Sequence, residues 1–203
     1  MKMYTVGCST NTNEKFLELL KKYDVNCLVD VRSLPFSKYT PQFNKENLKI
    51  FLKKNKIAYI WMGKEFGARR DDRSLYNQLG YLDFEKVRKS EEFLLGVNRI
   101  RIGLEKGYNI ALMCTEKDPI DCHRNILVAK GLEDNGIEVN HILQDGSLMN
   151  RYQIEIRLLD MYYKDRNQLN FDMILGNSLS EEEMIEDAYR RRNRDIGYEF
   201  NEE

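Results

Sequence analysis

The apolar positions of this chain fall into runs of two kinds, and the alternation of the two predicts its architecture. Met3-Tyr4-Thr5-Val6-Gly7, Asn26 to Arg32, Ile57 to Trp61, Tyr108 to Met113 and Ile137 to Leu143 are brief runs of strand length bounded by polar residues. The fourth is almost continuously apolar, the mark of a strand covered on both faces. Between the strands the apolar spacing changes to three and four residues: Phe16, Leu17, Leu19, Leu20 and Tyr23; Leu48, Phe51 and Leu52; Phe93, Leu94, Val97, Ile100 and Leu104; Ile126, Leu127, Ala129 and Leu132. These are the buried stripes of amphipathic helices. Asn11 with Glu14, Asn44 and Ser90 supply start signals, and Gly136 closes the last of these helices at its C′ position. Tyr76 to Lys89 carries aromatic residues without a clear period.

Strands alternating with helices predict an α/β domain over residues 1–150, with a mainly parallel sheet of about five strands and helices on both faces. From Tyr152 onward only helical spacing remains. Ile154, Ile156, Leu158, Leu159 and Met161 form one stripe, and Ser180 with Glu183 makes a capping box ahead of Met184, Ile185, Ala188 and Tyr189. Residues 151–203 are therefore expected to form a helical C-terminal extension packed on the domain.

Composition narrows the function classes. With 203 residues and 42% hydrophobic content, the chain can bury one ordinary core with an appendage. Lys plus Arg total 32 against 33 Asp plus Glu, so any case for nucleic acid must rest on a local patch. One basic run, Arg190-Arg191-Arg192-Asn193-Arg194, reads either as a solvated helix end or as such a patch. No apolar run reaches membrane-spanning length, and the first residues read as a strand instead of a signal segment; a soluble cytoplasmic protein without a membrane partner is expected. The four Cys, at 8, 27, 114 and 122, are too scattered for a disulfide scaffold and read as reduced thiols, Cys27 as a buried hydrophobe.

The chemistry concentrates at Cys114-Thr115-Glu116-Lys117-Asp118-Pro119-Ile120-Asp121-Cys122-His123-Arg124, between the central strand and the following helix. The bland reading makes Asp118 and Asp121 turn and cap residues and Cys114 a small hydrophobe. It leaves His123 and Arg124 unexplained, because cations are disfavoured in a first helical turn unless an anion binds there. Ligands of parallel α/β sheets sit outside the carboxyl ends of the strands. Cys8 and Ser9, Asp30 and Arg32, the loop from Ser33 to Asn44, the loop from Met62 to Arg73 and the Cys114–Arg124 stretch all fall at that edge. All three prolines, Pro35, Pro41 and Pro119, lie in these loops.

Gly7-Cys8-Ser9, Val29-Asp30-Val31-Arg32-Ser33 with Pro35, Pro41-Gln42-Phe43-Asn44, Gly67-Ala68-Arg69-Arg70, and the Cys114–Pro119 and Cys122-His123-Arg124 segments together resemble the bacterial and archaeal domain of unknown function family 488, over residues 3 to 143. That resemblance brings no established activity with it. The family usually reads Gly-His-Ser where this chain has Gly7-Cys8-Ser9; if that His were an obligate base, the step would be missing here. A weaker topological likeness to rhodaneses and Cys-phosphatases fails in detail, since Glu116, Asp118 and Asp121 would raise the pKa of a nucleophilic thiolate and repel an anionic substrate.

Three readings follow. The first is an enzyme, hydrolase or transferase, on a small anionic or phosphate-bearing substrate, a nucleotide or nucleic-acid end. Glu116, Asp118, His123 and Cys114 would be its catalytic groups. Cys8, Ser9, Asp30, Arg32, Ser33, Gln42, Asn44, Arg69, Arg70, Lys117, Cys122 and Arg124 would bind substrate, and an anion would sit at the N-terminus of the helix beginning near Cys122, held by Arg124. The second is a metal site of Cys8, Cys114, Cys122 and His123. The third is a non-catalytic nucleic-acid or protein binding module, with Tyr39, Phe43, Trp61 and Phe66 as stacking groups. The sequence names no cofactor.

Overall fold

A computed structural model describes residues 1–166 and 179–199. Part of the predicted extension, residues 167–178 and 200–203, lies outside the described residues. The six strands β1 (Lys2–Gly7), β2 (Cys27–Asp30), β3 (Ala58–Trp61), β4 (Ile110–Cys114), β5 (Glu138–Ile142) and β6 (Leu148–Met149) form one sheet in the order β3-β2-β4-β1-β5-β6. The first five run parallel, and β6 turns back antiparallel on β5. The fold is thus α/β with a mostly parallel sheet, as the alternation predicted. The alternation did not predict the short sixth strand; the Asp145-Gly146 turn delivers it, and Gly146 takes the positive φ of 78° that the turn requires.

Strand β4 is buried along its whole length. Its residues alternate between two cores: Ile110, Leu112 and Cys114 pack on one face, Ala111 and Met113 on the other. The second face is covered by α1 (Asn13–Lys22) and α2 (Lys45–Lys54), which contribute Phe16, Leu19, Leu20, Leu48 and Leu52. The first is covered by α4 (Phe84–Lys89), α5 (Glu91–Glu105), a wide π-helical turn over Arg124–Ala129 that runs into α6 (Lys130–Asp134), α7 (Arg151–Tyr162) and α8 (Glu181–Ile196). Both C-terminal helices reach that core, α7 through Ile154 and Leu158, α8 through Ala188 and Tyr189. A single turn, α3 (Gly63–Phe66), follows β3.

The start signals hold with two shifts. Ser90 caps α5, the Ser180–Glu183 capping box forms, and Gly136 ends α6 at a φ of 79°. The cap of α1 is Thr12 in place of Asn11, and Asn44 precedes α2 but turns its side-chain oxygen back to Ser37 N–H, at 2.6 Å. Among the described residues, no helix is long and apolar enough to cross a membrane.

Candidate functional site

Because β4 lies between β2 and β1, the loops that leave those three strands are neighbours. The β1 loop is tied to the β4 loop by backbone bonds from Cys8 N–H to Cys114 O, 2.9 Å, and from Ser9 N–H to Thr115 O, 2.7 Å. The contact is close enough that a Cβ on Gly7 would lie 2.0 Å from the Glu116 carbonyl oxygen. Only glycine fits there.

The β4 loop is held from three further sides. Arg124, fully buried, donates from Nη1 to Glu116 O at 2.6 Å and from Nη2 to Lys117 O at 3.1 Å, while its Nε finds no partner. Asp118 caps the short turn Pro119–Asp121 and takes a two-pronged bond from Arg157 of α7, at 2.9 and 2.7 Å. Asp121 pairs with Arg192 of α8, which also donates to Ile120 O at 3.0 Å. The bland reading holds for Asp118, which caps the turn, whereas Asp121 makes no cap and serves as the partner of Arg192; the two acids tie the loop to the two C-terminal helices.

So fixed, the loop brings one ligating atom each of Cys114, Glu116, Cys122 and His123 within 4.8 Å of one another. Glu116 Oε2 is 3.1 Å from Cys114 Sγ and 2.8 Å from Cys122 Sγ, and His123 Nδ1 is 3.6 Å from Cys114 Sγ. His123 Nε2 lies 3.1 Å from Val31 O at the end of β2, and Arg124 N–H points at Cys122 Sγ, 3.5 Å away. The thiols are buried, His123 is half-buried and Glu116 is exposed. Burial pushes the Cys114 thiol up; Cys122, against its burial, is held well below the usual thiol range by Cys114, Arg124 and His123. Glu116, exposed as a residue, turns Oε2 inward against both thiols, and desolvation there together with the neighbouring Cys122 raises its carboxyl; His123, despite desolvation, is raised by Cys122.

The cluster forms the floor of a cleft of about 540 Å³. Arg32, Ser33 and Leu34 from the β2 loop, Arg69 from the β3 loop, and Tyr198 and Glu199 beyond α8 form its walls. The convergence of the β2, β3 and β4 loops matches the sequence reading; the contribution of residues 196–199 was not foreseen. No apolar period announces them.

Of the residues proposed from sequence, Cys114, Glu116, His123, Arg32, Ser33 and Arg69 line this cleft, with Cys122 buried just behind it. The others are placed elsewhere. Cys8 packs in the core on the opposite sheet face from Cys114, where burial pushes its thiol up to about 12. Ser9 makes the left-handed turn after β1 at a φ of 42°. Gln42 donates to Asn11 O at 3.0 Å, and Lys117 offers only its carbonyl, to Arg124.

Of the four arginines expected to bind substrate, Arg32, Arg69, Arg70 and Arg124, three are already bonded within the protein. Arg32 meets the fully buried Asp30 through Nε and Nη2, at 2.9 and 2.7 Å, and gives a further bond to Phe43 O at 2.7 Å; Tyr59 OH completes Asp30 at 2.8 Å. Arg70 is bound to Lys64 O, to Glu65 O and to Glu92. Arg124 serves the loop, and the N–H groups of the turn behind it are directed at Cys122 O and Sγ. Only Arg69 is open: its backbone N–H is anchored on Ser33 Oγ at 2.9 Å, its guanidinium lies 4.8 Å over the Tyr198 ring, and it pairs with no carboxylate among the described residues.

The expected stacking groups are also redistributed. Phe43 and Phe66 are core, Trp61 donates its ring N–H to Arg32 O at 2.9 Å, and Tyr39 is 97% exposed. The basic run of α8 is paired along its length, Arg190 with Glu85, Arg191 with Asp187, Arg192 with Asp121 and Arg194 with Asp195, which favours the helix-surface reading over a nucleic-acid patch.

Among known protein families, the model described as domain of unknown function DUF488 matches residues 12–130. No curated protein matches the chain.

Proposed function

We propose that this chain, which belongs to the family described as domain of unknown function DUF488, is an enzyme, a hydrolase or transferase, that takes a phosphate-bearing substrate such as a nucleotide or nucleic-acid end into the cleft above Glu116. The observation that carries this reading is the convergence, in one cleft of about 540 Å³, of the thiol, carboxylate and imidazole groups of the floor with Arg69. That volume is in the range of small-molecule sites, and reactive groups set beside one unpaired cation are what an anionic substrate requires. Glu116, exposed at the floor, is the group positioned to move a proton. Asp118 drops out of that role, since both its oxygens serve Arg157.

Arg69→Ala tests the reading. Loss of one charge-assisted hydrogen bond, worth about 1.5–3 kcal/mol, is expected to weaken nucleotide binding by about tenfold or more in calorimetric titration, with an unchanged melting temperature. A wild-type chain that binds no nucleotide or short oligonucleotide, or equal affinity in the variant, overturns it.

A second reading has its own observation. Leu34, which lines the cleft, and Phe36 and Tyr39 further along the same loop are 64%, 66% and 97% exposed, apolar and aromatic groups of the kind that stack on bases without chemistry. Tight, salt-sensitive binding of a single strand that is never turned over would favour this binding-module reading.

A further inference from the structure

The floor of the cleft has features that proton transfer alone does not require. Two thiols, a carboxylate and an imidazole are gathered from the ten residues Cys114 to His123 into a cluster no wider than 4.8 Å. Both sulfur atoms approach the same carboxylate oxygen, at 3.1 and 2.8 Å. We propose that Cys114, Cys122 and His123 hold a zinc-class divalent metal ion, with Glu116 closing the fourth position from the cleft side. The inference deepens the functional reading above and shares its site, and its test is arranged so that either can fail alone.

The imidazole argues first. His123 Nε2 is 3.1 Å from Val31 O, a carbonyl that can only accept, so this nitrogen carries the proton and donates it. Nδ1 is left as a bare lone pair facing Cys114 Sγ at 3.6 Å. A ring nitrogen fixed by a backbone carbonyl while the other faces the ligand cluster is how metal-binding histidines are oriented. The β2 strand end thereby sets the tautomer that coordination needs.

Charge argues second. Arg124 is a fully buried guanidinium whose two bonds go to neutral carbonyls, and it meets no carboxylate among the described residues. An isolated buried cation is strongly disfavoured. Two thiolates, one carboxylate and a divalent ion sum to a single negative charge, which Arg124 balances. Its backbone N–H, 3.5 Å from Cys122 Sγ, is also directed at the sulfur that would carry thiolate charge.

The donor set selects the ion. Two sulfurs, one nitrogen and one oxygen favour zinc and its tetrahedral neighbours over magnesium or calcium, which require oxygen ligands. The burial is uneven, with both thiols enclosed and Glu116 exposed. Three protein ligands held from behind and a fourth position facing a cleft describe a site that can exchange that fourth ligand for water or substrate. A displaced Glu116 carboxylate is then free to take the proton role assigned to it above.

The competing description is a metal-free network in which both thiols donate to Glu116. Titration of the chelator-treated full chain with Co²⁺ alone separates the two. The expected result is one ion per chain, with tetrahedral visible bands and a sulfur-to-cobalt charge-transfer band, all removed by stoichiometric Zn²⁺. Cys122→Ser and His123→Ala are expected to lower Co²⁺ affinity at least a hundredfold, and Glu116→Gln by about tenfold. If the ligand variants fail to fold by circular dichroism, the wild-type spectrum still decides, because the charge-transfer band requires thiolate coordination. Absence of that band, or undiminished affinity in a folded Cys122→Ser chain, overturns the proposal. Cobalt binding without nucleotide binding removes the substrate assignment and upholds the metal; nucleotide binding without cobalt does the reverse.

Discussion

Replacing Arg124 by Ala is expected to destabilise the whole domain instead of weakening ligand binding directly. The side chain is fully buried and donates two bonds to carbonyls of the loop it pins, Glu116 O at 2.6 Å and Lys117 O at 3.1 Å. Hydrogen bonds from a charged group contribute about 1.5–3 kcal/mol each, so the pair accounts for about 3–6 kcal/mol. The unpartnered Nε offsets part of this, since a desolvated donor without an acceptor costs about 1–3 kcal/mol; the void left by the stem works the other way. A net loss of about 3–5 kcal/mol remains. In a chain of this length each kcal/mol moves the melting temperature by about 2–4 °C, so thermal unfolding followed by circular dichroism should show a fall of about 10 °C. Lys at the same position keeps the charge but cannot reach both carbonyls with a planar fork, and about half the loss is expected. An Ala variant with unchanged melting temperature and lost phosphate affinity would refute the reasoning and return Arg124 to the ligand.

Gly7→Ala places a methyl group where Glu116 O now sits, 2.0 Å from its Cβ, in a strand fixed by its pairing with Cys114. The loop must yield, with an expected cost of about 1–3 kcal/mol in urea unfolding and weakened Co²⁺ binding as Glu116 shifts. His141, buried with its Nδ1 2.7 Å from Thr5 Oγ1, is lowered by burial from 6.5 to about 3. The unfolded chain takes up that proton first, so the contribution is complete above 6.5 and is lost as pH falls towards 3, at about 1.4 kcal/mol per pH unit. Urea midpoints between about pH 7 and about pH 4.5 should drop more steeply in the wild type than in His141→Asn; parallel slopes would contradict this.

The strands and most helix ends were legible because period, caps and C′ glycine are local properties of the chain, as at Ser90, Ser180 and Gly136. What was not legible involved partners. Arg124 reads as a ligand group in sequence because its charge is visible there, whereas the carbonyls of Glu116 and Lys117 that engage it belong to the backbone and leave no mark. The same holds for Asp118, whose Arg157 lies 39 residues downstream. The fourth member of the cluster was within reach: strand alternation carried two residues past Cys114 puts Glu116 on the same face. Cys8, chosen in its place, belongs to the opposite face.

The cleft is built from two parts of the chain, of which the family model covers one. Its floor lies within the segment matched by the family, residues 12–130, but the wall formed by Ile196, Gly197, Tyr198 and Glu199 does not. That wall is positioned by contacts of its own: Leu82 N–H on Tyr198 O, a bridge from Tyr81 to Glu199, and the Arg192–Asp121 pair. No wall residue contributes a ligating atom to the cluster, whereas Cys114, Glu116, Cys122 and His123 all belong to the floor. Size and polarity at the entrance are therefore set by residues other than those of the cluster, so a substitution at Tyr198 or Glu199 alters what can enter the cleft without altering the cluster's own ligating atoms.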